Sequence, residues 1–141
     1  MEKLFVCTVC GHIEFGAAPA NCPVCHASTF KEDPNAINPA EKEGKEKHIP
    51  VVSFNASCGL IPGECKDVLI KVGSVPHPMQ EDHWIMWIDL YVNNKYATRI
   101  MLTPPSVQAA AVVHLKKDVQ GTITVIENCN KHGRWMSSIN V

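Results

Sequence analysis

The 141-residue sequence predicts a mainly β protein, an antiparallel β-sandwich preceded by a small metal-knuckle domain. Three observations lead there. From Asp67 onward, short runs rich in β-branched and aromatic residues recur between turn residues. Two Cys-x-x-Cys pairs, Cys7-Thr8-Val9-Cys10 and Cys22-Pro23-Val24-Cys25, sit close together near the start. Between the two regions the composition turns charged and proline-containing, as in a connector.

Residues 1–34 form the knuckle domain. Each Cys-x-x-Cys makes a tight turn whose two thiolates face one ion while following backbone N–H groups donate to the sulfurs. Gly11, just after the first pair, suits the positive φ such a turn demands. So small a core cannot stabilise itself by burial, so the metal supplies much of the folding free energy. Zinc commonly takes this ligand spacing, and the spacing alone leaves zinc and iron both open.

Residues 35–45 read as linker, within a polar stretch from Lys31 to Lys47 that holds Pro34, Pro39 and the mixed-charge run Glu41–Lys47. Nothing in that stretch looks apolar enough to bury. Residues 46–141 form the second domain, with strands expected at Asp67–Val72, Trp84–Val92, Tyr96–Leu102 and Thr122–Ile126. Asn93-Asn94 and Gln120-Gly121 supply turns. Gln108–Leu115 is read as a strand, although Ala109-Ala110-Ala111 would also suit a helix.

Charge and hydropathy exclude several function classes. Lys plus Arg number 13 against 14 Asp plus Glu, so there is no global basic field to attract nucleic acid. Apolar runs fall far short of the roughly 20 residues that span a bilayer, so no membrane partner is expected. Cys7 follows Met1–Val6 directly, leaving no apolar core for a secretory signal, and a cytoplasmic location is expected. In that setting cysteine pairs act as metal ligands rather than disulfides. Cys58 and Cys65, outside both motifs, are expected as reduced, partly buried thiols, with a redox-active disulfide as the alternative.

The chemistry concentrates at Cys129-Asn130-Lys131-His132-Gly133, on which three upstream histidines can converge. They are His48, in Glu46-Lys47-His48-Ile49-Pro50, and His77 and His83, in His77-Pro78-Met79-Gln80-Glu81-Asp82-His83. One thiolate with several imidazoles suits a redox-active transition metal better than a four-coordinate structural zinc. Pro50 and Pro78 stiffen the chain just beyond His48 and His77. His12, His26 and His114 are read as ordinary surface or satisfied core residues. A blue-copper carrier is the rival, because Cys129-x-x-His132-x-x-x-Met136 has the form of a copper-binding loop, but it leaves two of the three upstream histidines unused. A carrier that exchanges electrons without catalysis is a third reading.

Over roughly residues 46–141 these motifs resemble the superoxide reductase family, neelaredoxin and desulfoferrodoxin, whose pattern is Glu-Lys-His-x-Pro, then His-Pro…His, then Cys-Asn-x-His-Gly. The resemblance implies an immunoglobulin-like sandwich. It also implies a catalytic iron with His48, His77, His83 and His132 in an equatorial plane and Cys129 axial. Lys47 would then attract superoxide and orient the water that delivers a proton, and Glu46 would bind iron in its oxidised state. Arg134 departs from the family, which often has an apolar residue before Trp135. Separately, Phe5, Pro19, Cys22-Pro23-Val24-Cys25 and Phe30 resemble the short rubredoxin-like module of rubrerythrins, which implies an electron-transferring iron at Cys7, Cys10, Cys22 and Cys25. His26 stands there where glycine is usual. The expected partners are superoxide, rubredoxin or a similar electron donor, and further copies of the chain in a dimer or tetramer.

Overall fold

The structure is a computed structural model and describes residues 2–141. Strands β1 (Leu4–Cys7), β2 (Ile13–Phe15) and β3 (Phe30–Glu32) form a small sheet in the order β2-β1-β3. A single helical turn, α1 (Lys45–His48), leads into the larger unit. There β4 (Pro50–Asn55), β5 (Cys65–Val72) and β8 (Ala110–Lys116) pair in the order β4-β5-β8. Strands β6 (Ile85–Val92), β7 (Lys95–Met101), β9 (Thr122–Cys129) and β10 (Gly133–Asn140) pair in the order β10-β9-β6-β7. All these pairings are antiparallel.

The two larger sheets enclose one apolar layer. Val68, Ile70 and Val72 of β5 meet Ile88 and Leu90 of β6 and Ile123 and Val125 of β9. Alternation along β5 puts those three residues inward and leaves Leu69 and Lys71 outward. The ambiguous alanine segment is strand β8. No helix among the described residues is long and apolar enough to cross a membrane.

Strand β6 departs from simple alternation, being buried almost throughout. A strand buried on both faces needs cover on its second side, and the N-terminal unit supplies it. Trp87, Tyr91 and Ile126 pack with Ile13 and Ala36 into a second core, flanked by Leu4, Val6, Phe15 and Ile37. Each large apolar side chain so buried contributes about 2 kcal/mol, enough in sum to dock the knuckle unit against the sandwich.

Polar groups pin this interface. Asp89, fully buried, accepts from Arg99 Nε at 2.6 Å and Nη2 at 2.8 Å. Arg99 also stacks over Trp87 and donates to the Cys10 carbonyl at 3.0 Å. His12 lies between Asp89, Tyr91 and Glu14 with no exposure, a satisfied core histidine as expected. Arg134, the departure noted above, reaches the Gly11 carbonyl at 2.9 Å and the Ala36 carbonyl at 3.2 Å, joining the two units.

The structure corrects several expectations. Residues of the polar connector do bury, because Ala36 enters the second core and Ile37 bridges to Arg134 of β10. Glu46 and Lys47, expected on a mobile, exposed loop, lie on a helical turn, where both remain exposed. Strand β9 continues past Ile126 to Cys129, since Glu127 and Asn128 stay in register with β10. Cys58 and Cys65 form a disulfide, not a pair of thiols, because the intervening loop folds back and brings their Cα atoms to 5.3 Å.

Glu127 on β9 is buried, and neither carboxyl oxygen has a hydrogen-bond partner among the described residues. Burial pushes its carboxyl up from the usual 4.5 to about 9. Between those values the folded chain holds a proton that the unfolded chain releases. Its stability contribution is therefore complete below about pH 4.5 and is lost as the pH rises to about 9. Glu127→Gln should gain stability relative to the wild type with rising pH, by on the order of several kcal/mol between pH 5 and 9. Chemical unfolding of both proteins across that range checks this; parallel profiles would show that Glu127 does not titrate with folding.

Candidate metal centres

Two donor clusters stand at separate places. In the knuckle unit, Cys7 Sγ lies 3.5 Å from Cys25 Sγ and Cys10 Sγ lies 3.6 Å from Cys22 Sγ. Four sulfurs around a tetrahedral ion with bonds of 2.3 Å stand about 3.8 Å apart, so the cluster fits a zinc-sized or iron-sized ion. Burial alone would raise the Cys7 thiol, but backbone N–H groups of Cys10 and Val9 bring it down to about 7. Desolvation, helped by the neighbouring Cys22 and Cys25 thiols, pushes Cys10 up to about 12. Gly11 takes φ +80°, and His26 completes the equivalent turn at φ 69° despite its side chain. The knuckle geometry thus survives the missing glycine, at a backbone cost of roughly 1–2 kcal/mol.

The second cluster lies at one end of the sandwich, where three segments meet. Turn α1 carries His48, the loop after β5 carries His77 and His83, and the β9–β10 turn carries His132 next to Cys129. Neighbouring rings have centroids 4.8 Å apart for His48–His77, 4.6 Å for His77–His83, 5.0 Å for His83–His132 and 4.9 Å for His132–His48. The diagonal His48–His83 is 6.4 Å, so the four rings make a near-square. Each ring stands steeply to its neighbours, between 69° and 75°. Donor atoms of His48, His77, His83 and Cys129 all lie within 4.8 Å of one another, and Cys129 Sγ is 3.7 Å from His132 Nδ1.

Hydrogen bonds orient the rings. His48 Nδ1 donates to the Gly44 carbonyl at 2.8 Å and His77 Nδ1 to the Pro78 carbonyl at 2.7 Å. Those bonds leave the two Nε2 atoms facing each other at 3.3 Å. Nε2 of His83 is buried and has no partner among the described residues. Buried imidazole nitrogens turned on one point without acceptors are what a bound cation satisfies. Trp135, buried, stacks on His48 at 4.8 Å and donates to the His132 carbonyl.

Electrostatics agree. Burial, reinforced by the neighbouring imidazoles, lowers His77 to about 4 and pushes His48 and His83 below the ordinary histidine range. These three rings are therefore neutral at physiological pH, the ligating form. Burial raises the Cys129 thiol, while the backbone N–H groups of Lys131 and His132 act against it. A metal that binds this sulfur must displace its proton. The donor set of four imidazoles and one thiolate fits iron.

Other residues hold the three segments together, and motif reading missed them. Asn130 accepts from the Trp84 N–H at 2.9 Å and donates to the Asp82 carbonyl at 3.1 Å, tying the His83 segment to the Cys129 turn. Asn38, in the supposed linker, donates to the carbonyls of His132 at 2.7 Å and Arg134 at 3.0 Å. Asn130 had a signal, its place between Cys129 and His132; Asn38 had none. The Glu46 carbonyl accepts from Val75 N–H at 2.9 Å and Ser74 Oγ at 3.2 Å, docking α1 on the loop after β5.

Beside the rings opens a cleft of about 620 Å³, lined among others by Lys42, Glu46, Lys47, Lys131, His48, His83 and His132. Glu46 and Lys47 are exposed, so each side chain is free to swing into the cleft. The structure does not bring Met136 to this place. It is exposed on β10 and lines a different cleft with Glu2 and Phe15, which removes the fourth donor of the copper reading.

A sandwich with a square of histidines and one cysteine at its end, joined to a four-cysteine knuckle, defines a two-centre metalloprotein of the non-haem kind. The chain belongs to the desulfoferrodoxin family: that family's model matches residues 40–138, and the rubredoxin-like domain of rubrerythrin matches residues 5–31. A desulfoferrodoxin of Syntrophotalea carbinolica is 35% identical, over 96% of this chain and 97% of its own. A superoxide reductase of Pyrococcus horikoshii is 28% identical, over 68% of this chain and 88% of its own. Among solved structures, the superoxide reductase of Treponema pallidum matches with a TM-score of 0.63 and 27% identity, covering 97% of this chain and 98% of that one.

Gly73 allows α1 to approach the loop. At φ +65°, a Cβ there would lie 2.4 Å from the Glu46 carbonyl oxygen and 2.5 Å from the Lys47 carbonyl carbon. Gly73→Ala should push the turn bearing His48 outward and speed loss of bound iron to a chelator on the order of 10-fold or more, with strand content unchanged by circular dichroism. Wild-type release would show that the turn yields without moving His48.

Proposed function

We propose that this chain is a superoxide reductase. Superoxide takes up one electron and two protons to give hydrogen peroxide, at iron held by His48, His77, His83, His132 and Cys129. The observation that carries the reading is the near-square of four imidazoles with one thiolate beside it. When bound, iron supplies the electron that superoxide takes up.

The chain's own residues have distinct tasks. Cys129 provides an anionic donor whose electron density favours the reduction, moderated by the backbone N–H groups of Lys131 and His132. The Nδ1–H bonds of His48 and His77 fix their rings and strengthen them as donors. Net charge is −1, so attraction of a small anion must be local, and Lys42, Lys47 and Lys131 line the cleft against two carboxylates, Glu43 and Glu46. Lys131 is partly engaged by Asp82 at 4.0 Å, whereas Lys47, next to His48, is best placed to draw superoxide in and to orient the water that gives up a proton. Glu46 supplies a carboxylate for the oxidised metal.

The electron comes from a small redox protein of the rubredoxin type. The exposed apolar side chains Val51, Leu69 and Val112 on the outer face of β4-β5-β8 suit assembly with further copies of the chain, in a dimer or tetramer. Five of the 7 cysteines stand free at the two donor clusters, which fits a reducing, cytoplasmic setting, with the Cys58–Cys65 disulfide as the exception.

Cys129→Ser should abolish superoxide reduction even where iron stays bound, because a serine hydroxyl is a poor anionic donor beside a thiolate. Metal analysis with a fast superoxide-decay measurement checks this. A near-native rate in an iron-containing variant would contradict the role of the sulfur.

Lys47→Ala should slow the second-order reaction with superoxide roughly 10- to 100-fold and flatten its dependence on ionic strength, leaving iron content unchanged. Lys47→Arg should keep much of the attraction but misplace the water. A wild-type rate for Lys47→Ala across a range of salt would reduce Lys47 to a solvated side chain.

A further inference from the structure

A third cluster lies at the far end of the sandwich from the histidine square. Cys65 opens β5, and Val72, just ahead of the His77 loop, closes it. Seven steps of about 3.3 Å separate them, roughly 23 Å. There the side chains of Cys58, Cys65, Asp67 and His114 converge, with donor atoms all within 4.8 Å of one another. His114 Nδ1 is 3.4 Å from Cys58 Sγ and 2.7 Å from Asp67 Oδ1. Cross-strand register fixes two of the four, because Asp67 of β5 pairs directly with His114 of β8. Neither family motif uses these residues.

With Cys58 and Cys65 joined as a disulfide, the sulfurs carry no charge and cannot act as thiolate ligands. Reduction changes the chemistry. We propose that the reduced form is a zinc site, with two thiolates, the His114 imidazole and the Asp67 carboxylate as its four donors. Around a tetrahedral zinc, sulfur and imidazole nitrogen stand about 3.6 Å apart, close to the 3.4 Å already present between Cys58 and His114. The two sulfurs must part to about 3.8 Å. Cys58 can make that move: it is buried, but its neighbours from Asn55 to Gly63 are all exposed.

Each change of state balances. A dithiol reductant gives two electrons to the disulfide, the S–S bond breaks, and two thiols form. Zinc then displaces their two protons. In reverse, a peroxide takes two electrons from the thiolates: one sulfur attacks a peroxide oxygen to give a sulfenic acid, and the second displaces it to restore the S–S bond. With two protons the products are the disulfide and two waters, and zinc is released. Hydrogen peroxide is the product proposed above for the iron centre. Only its local source rests on that reading; the zinc site stands without it.

The test uses full-length, iron-loaded protein in three forms: reduced with a phosphine, oxidised with added hydrogen peroxide, and the double variant Cys58→Ser/Cys65→Ser. Each is equilibrated with zinc and desalted, and its metal is counted by mass spectrometry. Reduced wild type should hold one more zinc per chain than the other two forms. Added peroxide should release that zinc to a chromophoric chelator as two thiols disappear. His114→Ala, at an exposed position, and Asp67→Asn, an isosteric change at a half-buried one, should weaken retention at least 10-fold, which keeps the test open if the double variant fails to fold. Equal zinc in reduced and oxidised wild type would overturn the proposal, as would unchanged retention in both single variants. Superoxide turnover enters none of these readings, so failure here is distinct from failure of the reductase assignment.

Discussion

Three loops at one end of the sandwich are held face to face although the atoms they present to each other do not satisfy one another. Four imidazoles and a thiol converge there, with the Nε2 atoms of His48 and His77 opposed at 3.3 Å and that of His83 buried without a partner. Leaving such groups unpaired costs the fold, and a cation that fills the centre turns the cost into stabilisation. Much of the surrounding structure reads as a device for keeping that convergence. Asn130 ties the His83 segment to the Cys129 turn, Asn38 holds the His132 carbonyl, and Gly73 lets the His48 turn sit against the loop after β5.

A second constraint sits in β6. Its inward face builds the sandwich core, while its outward face presents the large rings of Trp87 and Tyr91, which need cover, with the charge of Asp89 between them. The knuckle unit covers them, and Arg99 answers the Asp89 charge with two short hydrogen bonds. Removing either partner of so buried a pair leaves an uncompensated charge, so the interface tolerates little variation. Arg134 belongs to the same arrangement. It follows His132 by two residues and binds the carbonyl of Gly11, so the turn of one metal centre and the knuckle of the other share a strand of contact.

The sequence made the β-sandwich and the donor residues legible for different reasons. Strands β5, β6, β7 and β9 were visible because each is rich in branched and aromatic residues. Strands β4 and β10 were not, because Pro50–Asn55 and Gly133–Asn140 mix serine and asparagine into short runs. The apolar run of β6, broken only by Asp89, does hold the sign that something packs on its outer face. Donor residues stood out through their spacing alone. What spacing could not carry was support from distant backbone: Asn38 lies 94 residues before the carbonyl it holds. The Cys58–Cys65 disulfide was hidden for a different reason: Pro62-Gly63 marks a turn between the two cysteines, but a turn alone does not say that the flanking thiols join.

The proposed chemistry would rest on four imidazoles and one thiolate beside a cleft lined by Lys42, Lys47 and Lys131, in an otherwise nearly neutral chain. Stoichiometry separates this from dismutation, in which half the superoxide is returned as dioxygen. The most direct measurement is rapid mixing of anaerobically reduced, metal-analysed protein with superoxide, following superoxide, peroxide and dioxygen together. One peroxide for each superoxide consumed, with no dioxygen evolved and one iron oxidised per turnover, is the predicted result. Dioxygen released in step with peroxide, or superoxide decaying no faster than in buffer, would contradict it.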